Sequence, residues 1–268
     1  MNAFAAHFTF EFRTGIRNKN LLLMNYLFPL GVYLLMGFVM TGINPLFRDT
    51  MVPGMVTFAI LGAALLGLPD PLVTARESGI FRSYKINGVP ALSILALPGL
   101  TTMLHLTVVM GLITASAPVL FDAPLPVNWP AYLLVFLVGA FCCVGLGVLI
   151  GVVAPSTRLT VLYSQLIFLP SMLIGGVMLP YSMLPETAAR VARLLPATHM
   201  MNAFNGLAMG RGADFSAWGS VVALLATGVL AFALSRVLFS WDSRNTAPRQ
   251  PLLALLVVLP LAATIFLF

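Results

Sequence analysis

A short run of charged and aromatic residues between two apolar stretches carries the densest chemistry in this sequence. Residues 76–90 read RESGIFRSYKINGVP, and their charged side chains are Arg76, Glu77, Arg82 and Lys85. An acid near the start and cations towards the end suit the dipole of a short helix, and Phe81 and Tyr84, three residues apart, share one face of it. Such a helix fits a docking site for a protein partner. It fits equally an interfacial loop whose cations meet anionic lipid, and composition alone leaves both interpretations open.

Catalytic, redox and metal chemistry lack a recognisable pattern in the sequence. Cys142 and Cys143 are adjacent inside one apolar run, which gives neither a disulfide framework nor a zinc-ligand spacing. A nucleotide phosphate loop needs Gly-Lys-Ser/Thr after a glycine-rich turn, whereas Lys19 and Lys85 follow an asparagine and a tyrosine. The sequence therefore predicts no catalytic residue, no metal and no cofactor on this chain, and any ATP hydrolysis is expected on another one.

The elements that position these residues are apolar runs long enough to cross a membrane. Of the 268 residues, 60% are hydrophobic and 8% are charged, against about 25% charged in soluble domains. A helix needs roughly 20 apolar residues to cross the hydrocarbon layer, and runs that are apolar on every face favour helices over barrel strands. We therefore predict an all-α polytopic membrane protein with six transmembrane helices, over residues 21–42, 51–74, 91–120, 130–154, 160–179 and 217–240.

The two ends of the chain predict membrane contacts of different kinds. In residues 1–20, Phe4, Phe8 and Phe12 form one stripe, which is typical of an amphipathic helix lying in the interface. The tail, residues 246–268, is apolar from Leu252 onwards. As an α-helix its last 17 residues would rise about 26 Å, slightly less than the ~30 Å hydrocarbon core. We expect a seventh span with the C-terminus outside, the alternative being a tail that does not cross.

The positive charge of the chain indicates its orientation. With the N-terminus in the cytoplasm, ten of the 14 Lys and Arg residues fall on the inner side, and the acids divide evenly. An inner excess of Lys and Arg is the usual topology signal of multi-pass proteins. The net charge of +6 is therefore explained by the orientation of the chain in a lipid bilayer, and nucleic acid is not needed as a partner. We expect a multi-pass protein of a bacterial-type inner (plasma) membrane with the N-terminus in the cytoplasm.

A polar segment on the predicted outer side, residues 180–215, contains the signals of two short helices. Proline followed by acid at Pro185 and Glu186 suits a helix start, and Pro196 ends that helix. Thr198 suits the N-cap of a second helix that extends to Met209. We expect a helical hairpin that re-enters the membrane from outside, the alternative being a hairpin lying flat on lipid. Its candidate functional residues are Pro185, Glu186, Arg190, Arg193, Pro196 and Thr198.

Span four carries a ridge of small side chains. Gly139, Cys143, Gly147 and Gly151 recur at every fourth position. Small residues at this spacing let another helix approach closely, so the ridge predicts helix packing inside one subunit.

Two parts of the sequence resemble one known family. The loop 76–90 resembles the Arg-Glu-x-Gly-(Thr/Val)-(Leu/Phe) coupling-helix motif of type-2 ABC transporter permeases. Downstream of it, a series of Leu-Pro and Gly-Gly pairs is similar to the fifth span and external hairpin of that family: Leu169-Pro170, Gly175-Gly176, Leu179-Pro180, Leu184-Pro185 and Leu195-Pro196-Ala197-Thr198. The resemblance covers residues 1–245, whereas the apolar tail is not part of the usual six-span pattern.

The resemblance implies a division of labour between several chains. Residues 21–245 would form a six-span permease domain that pairs with a second permease copy or a homologous permease, and with a cytosolic ABC ATPase dimer that carries ATP and Mg. The coupling residues would be Arg76, Glu77, Gly79, Phe81, Arg82, Tyr84 and Lys85. A substrate pathway beside span five would involve Tyr163, Gln165, Phe168 and Met172.

The expected function is the membrane subunit of an exporter that moves a lipophilic drug-like or lipid-like substrate outward. A polysaccharide or glycolipid exporter of the same family is the alternative. An ion-coupled secondary transporter is less favoured because it would use paired ionisable groups near the midplane, where this sequence offers His105.

Overall fold

The structure is a computed structural model that describes residues 19–44, 47–241 and 251–267. All but the last two residues of the predicted interfacial helix, 1–20, lie outside this part of the chain. Within it, six helices are long and apolar enough to cross a membrane: α1 (Leu23–Ile43), α2 (Phe47–Glu77), α4 (Ala91–Phe121), α5 (Trp129–Val153), α6 (Thr157–Ile174) and α9 (Ala217–Leu238). The protein is therefore an all-α polytopic membrane protein, as predicted.

The shorter helices of the described residues include four that connect or follow these spans. They are α3 (Ile80–Ile86), between α2 and α4, α7 (Glu186–Ala192) and α8 (Pro196–Ala203), between α6 and α9, and α10 (Leu259–Leu267) in the tail. We call the end of the bundle that carries α3 the loop end, and the end that carries α7 and α8 the hairpin end.

Polar side chains fix the starts of three long helices. At each start one side-chain oxygen accepts a hydrogen bond from a backbone N–H of the first turn, which satisfies one of the unpaired donors there. The capping residues are Asn128 for α5, Ser156 for α6 and Ser216 for α9. These caps explain why the predicted starts of spans four to six lie within three residues of the observed ones.

The predicted end of span five is wrong. The hydrophobic run continues to Leu179, but α6 stops at Ile174. Gly175 ends the helix, and Gly176 follows with φ of +88°, a left-handed conformation that glycine adopts without steric cost. Span two deviates the other way, because α2 begins four residues earlier and ends three residues later than predicted.

The helices α2 and α5 form the centre of the bundle. Of an apolar stretch of 18 residues in each helix, 94% is buried in α2, against 17% in α1 and 28% in α6. The small-residue ridge of α5 lies on this contact: a Cβ on Gly147 would stand 2.1 Å from the Ala64 carbonyl oxygen, and one on Gly151 would stand 2.9 Å from Leu72. Cys143 is fully buried in the same core. The ridge thus packs inside one chain.

The tail packs along α9 in two different helical forms. Residues Pro251–Val258 form a 3-10 helix that continues into α10. A 3-10 helix rises about 2.0 Å per residue and an α-helix 1.5 Å, so the tail is about 30 Å long. Val257, Leu261 and Thr264 are buried, and Arg193 of the hairpin donates a hydrogen bond to the Thr264 carbonyl. The tail therefore ends at the hairpin end.

Candidate functional site

Two left-handed glycines bound the short helix α3. Gly79 precedes it with φ of +78°, and Gly88 follows it with φ of +71°. At its end, the N–H of Val89 donates to the Tyr84 carbonyl at 2.9 Å and that of Gly88 to the Lys85 carbonyl. This pattern of paired bonds is a Schellman motif. The loop 76–90 is thus an ordered helix between two sharp turns.

Arg76 fastens the start of this loop to the end of α5. Its side chain is 5% exposed. Its two terminal nitrogens donate hydrogen bonds to the carbonyl oxygens of Val152, at 2.7 Å, and Ala154. The last carbonyls of a helix have no partner inside that helix, and a cation there also complements the helix dipole. Arg76 was predicted among the coupling residues, and the structure places it inside the chain, where it positions the loop.

Phe81 fastens α3 itself. It is 4% exposed, and its ring lies 5.6 Å from that of Phe239, just beyond the end of α9. The void between Arg76, Phe81, Gly151 and Phe239 is about 10 Å³, at the lower limit for one water molecule. Phe81 is thus the second of the predicted coupling residues, after Arg76, that is buried. It joins α3 tightly to α9.

Glu77 connects the loop to a third long helix. Its Oε2 accepts a hydrogen bond from the Thr157 hydroxyl at 3.1 Å, and Thr157 is the first residue of α6. The loop therefore contacts the ends of α2, α5, α6 and α9 at once.

The outer face of α3 combines charge with an apolar side chain that sequence reasoning missed. Arg82 and Lys85 are exposed, and Tyr84 is half-buried. Ile86 is 85% exposed and, four residues after Arg82, lies on the same helical face. The signal in the sequence was an isoleucine two residues before the helix-ending Gly88 and off the Phe81 face.

The predicted pathway residues of span five do not share one environment. Phe168 and Met172 are buried, and the Phe168 ring lies 6.0 Å from that of Phe58 in α2. Gln165 and Tyr163 are half-buried. The Gln165 side-chain oxygen has no hydrogen-bond partner among the described residues. The most exposed face of α6 is instead a stripe of leucines, Leu162, Leu166, Leu169 and Leu173.

The predicted N-cap role of Thr198 is wrong. Helix α8 begins two residues earlier, at Pro196, which occupies the first helical position. Proline suits that position because its missing N–H would be unpaired there anyway. The Thr198 hydroxyl instead donates to the Ala192 carbonyl at 2.6 Å, which holds α8 against the end of α7. The first hairpin helix begins at Glu186 after Pro185, where the sequence placed it.

The helix α8 is inserted between α2 and α5. All of its residues are buried. Met200 lies against Gly139 of α5, and the Thr57 hydroxyl of α2 donates to the Met201 sulfur at 3.7 Å. Thr57 and Gly139 are each ten residues from the start of their helices, which corresponds to about 15 Å of helix. The hairpin therefore extends well into the bundle.

Buried polar side chains that sequence reasoning missed hold the hairpin in place. The Asn202 side-chain oxygen accepts from the N–H groups of Asp214 and Phe215, and its amide donates to the Phe215 carbonyl and the Ser220 hydroxyl. His199 bonds the Arg193 carbonyl at 2.8 Å. Such fully satisfied buried networks fix one arrangement. The Asn202 bonds join residues 12 or more positions apart, so no local spacing indicates them.

Arg193 contacts three further segments at the hairpin end. Its Nε donates to the Tyr181 hydroxyl at 3.0 Å, one terminal nitrogen donates to the Thr264 carbonyl at 3.2 Å, and its guanidinium carbon lies 4.5 Å from the centre of the Phe215 ring. By contrast, Arg190 pairs with Glu186 at 2.6 Å on an exposed surface, where such a pair contributes little.

Charges at the hairpin end pair with one another. Arg48 lies 3.7 Å from Asp122, and Arg211 lies 3.5 Å from Asp49. The pairs connect the start of α2 with the α4–α5 loop and with the segment after α8. These four residues are among the eight charges that the predicted orientation leaves on the outer side, four basic and four acidic.

One comparison with known proteins finds a match. A family model described as "ABC-2 type transporter" matches residues 2–209 of the chain. No curated protein and no solved structure matches it. The matched region includes the loop 76–90, the central pair α2 and α5, and the inserted helix α8.

Proposed function

Because the chain belongs to the ABC-2 type transporter family, we propose that this ABC-type permease subunit exports an amphiphilic, lipid-like or drug-like substrate by using ATP that a separate subunit hydrolyses. The observation that carries the proposal is the loop 76–90, an ordered helix tied to four membrane helices. ATP and Mg would be bound by a cytosolic ABC ATPase dimer, because this sequence has no phosphate loop.

The contact with the ATPase is assigned to the exposed side of α3. Glu77, Arg82, Lys85 and Ile86 present charge around one apolar side chain, a composition suited to a protein interface. Arg76 and Phe81 act from inside by fixing α3 to α5 and α9. Gly79 provides the turn before α3, and the half-buried Tyr84 lies between the exposed residues and the buried ones. A force applied to α3 would therefore reach the bundle with little loss.

The mechanism follows from these attachments. When the ATPase dimer closes, it would displace α3, and Arg76 and Glu77 would transmit the movement to α2, α5 and α6. At the other end α2 contacts α8 through Thr57 and Met201, so a tilt of α2 would move the inserted hairpin. An inward or lateral opening would thereby become an outward one.

A second permease copy, or a homologous permease, would pack against the faces of α1 and α6 that the chain leaves exposed. The leucine stripe of α6 supports this, together with the unpartnered oxygen of Gln165. A polar side chain at membrane depth usually faces protein or a wet cavity. Gln165 would thus lie at the contact of the two subunits, where Tyr163, Phe168 and Met172 back the pathway.

The orientation proposed is that of a bacterial-type inner membrane protein with the N-terminus and the loop end in the cytoplasm. The hairpin would be re-entrant from the outside, which its depth of about 15 Å along α2 and α5 supports. The tail would cross as a seventh span, because its length of about 30 Å equals the hydrocarbon thickness.

The decisive experiment reconstitutes the chain with its candidate ATPase in lipid nanodiscs. We expect Ile86→Asp to abolish co-purification of the ATPase and the ATPase activity that depends on the complex, because a charge replaces the apolar centre of the interface. The matched control is Val191→Asp, which puts the same charge at an exposed valine of α7. Unchanged assembly and transport in Ile86→Asp, or equal losses in both variants, would contradict the proposal.

A further inference from the structure

A polar cavity lies at the hairpin end, between the start of α2, the end of α6 and helix α8. Its volume is about 180 Å³. That is several times the space one water needs and less than the roughly 300–1,000 Å³ of pockets that enclose drug-sized ligands. The cavity therefore suits one polar group of a larger molecule.

Two acceptors in the lining await a hydrogen-bond donor. The side-chain oxygen of Asn205 is buried and has no partner among the described residues. Asp214 is an exposed residue that also lines the cavity; partial burial raises the pKa of its carboxyl group, and no described side chain pairs with it. An unsatisfied buried polar group is costly, so Asn205 favours a ligand that donates a hydrogen bond, and the exposed Asp214 offers a second acceptor to the same ligand.

Asn202 and Asn205 differ in whether the chain itself satisfies the hydrogen bonds of their side-chain amides. Three residues earlier on the same helix, Asn202 satisfies its side chain entirely within the chain. After Ala203, the last residue of α8, the chain continues directly into a π turn, Phe204–Ala208. Such turns are frequent at functional sites, although α1 and α2 also contain π turns. Asn205 lies in this turn and lines the cavity.

The charges of the lining select against an anionic ligand. Arg211 lines the cavity, but its guanidinium is already paired with Asp49 at 3.5 Å, and Asp214 adds a negative charge. Thr50 and Ser182 add hydroxyl groups, which both donate and accept. An uncharged group with several hydroxyls satisfies this set, whereas a phosphate would face the Asp214 carboxylate.

Apolar side chains flank the cavity on the segment that follows α6. Met178 is 52% exposed, Leu179 49% and Met183 69%. They lie within three residues of the lining residues Pro180, Tyr181 and Ser182. A hydrocarbon chain attached to the bound polar group would thus find an apolar surface directly beside it.

We propose that this cavity binds the uncharged, hydroxyl-rich head group of an amphiphile, of the glycosyl or glycerol type, with its hydrocarbon chain on the apolar flank. The inference rests on the proposed function only in taking this amphiphile to be the exported substrate. Asn205 and Asp214 accept hydrogen bonds from the hydroxyls, and Thr50 and Ser182 complete the lining.

The test measures lipid binding to the chain alone in phosphatidylcholine nanodiscs by native mass spectrometry. The probes are monoglucosyl diacylglycerol, diacylglycerol, a cationic lipid of equal chain length, and free glucose. We expect the glucosyl lipid to bind most tightly. Asn205→Leu and Asp214→Asn should each weaken it roughly three- to tenfold, the effect of one or two lost hydrogen bonds. The control Glu186→Gln, an exposed carboxyl outside the cavity, should bind like the parent chain.

Several results would overturn the proposal. They are unchanged glucosyl-lipid binding in both cavity variants, equal binding of diacylglycerol, and tighter binding of the cationic lipid. If free glucose bound as tightly as the glucosyl lipid, the hydrocarbon chain would contribute nothing to binding, and the proposal of an amphiphile as the ligand would be refuted. Neither cavity variant removes a described side-chain hydrogen bond, and melting temperatures equal to that of Glu186→Gln would verify that both fold. Because no ATPase is present, a failure of this test is distinct from a failure of ATP-driven export.

Discussion

Arg76 illustrates how one side chain changes role between the sequence and the structure. In the motif it stands beside Glu77 and resembles a surface residue of a docking loop. In the fold its guanidinium lies under the loop and donates to two carbonyls at the end of α5. Glu77 remains exposed and bonds Thr157. The two neighbouring charges thus hold the same loop to two different helices.

A prediction at this scale concerns the closest approach in the core. Gly147→Ala would place a Cβ 2.1 Å from the Ala64 carbonyl oxygen, and that backbone cannot move without separating α2 from α5. We expect a loss of stability of about 1–3 kcal/mol, the usual cost of overpacking, visible as a lower melting temperature in nanodiscs.

The matched control is Gly111→Ala in α4. A Cβ there meets nothing within 4 Å, and alanine is the better helix former by up to about 1 kcal/mol. The melting temperature should therefore stay or rise slightly. If both variants melt alike, the contact between Gly147 and Ala64 does not exist as described.

Among the elements, the hairpin and the tail show how segments too short to cross as α-helices gain their positions. The helix α8 has eight residues, yet it reaches deep into the bundle because α2 and α5 make room for it at Thr57 and Gly139. The tail gains length from its 3-10 half, because that form rises further per residue than an α-helix. Both segments meet at Arg193.

The tail yields a prediction about topology. Phe266→Cys places a thiol at a side chain that is 88% exposed, whereas the native Cys142 and Cys143 are fully buried and should stay silent. If the tail crosses the membrane, a membrane-impermeant maleimide should label Phe266→Cys in intact cells. Ile86→Cys, at the loop end, should be labelled only after the membrane is opened. Labelling of Phe266→Cys only in opened membranes would contradict a seventh span.

On the scale of the whole molecule, burial is unequal in a way that points to assembly. The helices α2 and α5 are enclosed by the chain, whereas α1 and α6 keep long apolar faces exposed. Lipid can cover such faces, but it cannot satisfy the unpartnered oxygen of Gln165. The second subunit proposed above would cover these apolar faces and would offer Gln165 a hydrogen-bond donor that lipid lacks.

The corresponding prediction is that Gln165→Leu weakens pairing of the permease. An interhelical hydrogen bond in a membrane contributes about 0.6–1.7 kcal/mol, so we expect association to weaken roughly three- to twentyfold. The measurement is energy transfer between labelled subunits at increasing lipid dilution.

Thr107→Val serves as the control for pairing, because Thr107 is an exposed residue of α4 whose hydroxyl bonds its own helix. Equal association of the parent chain and Gln165→Leu would show that Gln165 lies outside the subunit contact.

The sequence by itself determined the helices. In lipid the backbone must pair with itself, so a run of about 20 apolar residues has one outcome, and caps such as Ser156 and Ser216 set the boundaries locally. The same local logic identified the loop 76–90 and the start of α7. It failed at Leu179 and Thr198, where Gly176 and Pro196 prevailed over hydropathy and over a capping side chain.

The tertiary structure alone decided which faces meet and what the polar residues do. Helix α5 is apolar on every side, so its periodicity could not indicate that Gly147 faces Ala64. Arg76 and its acceptor Val152 are 76 positions apart, and the hairpin and the tail meet through Arg193 and Thr264, 71 positions apart. Helix formation depends on neighbours within one turn. Packing, burial and the cavity beside Asn205 depend on residues that only the folded chain brings together.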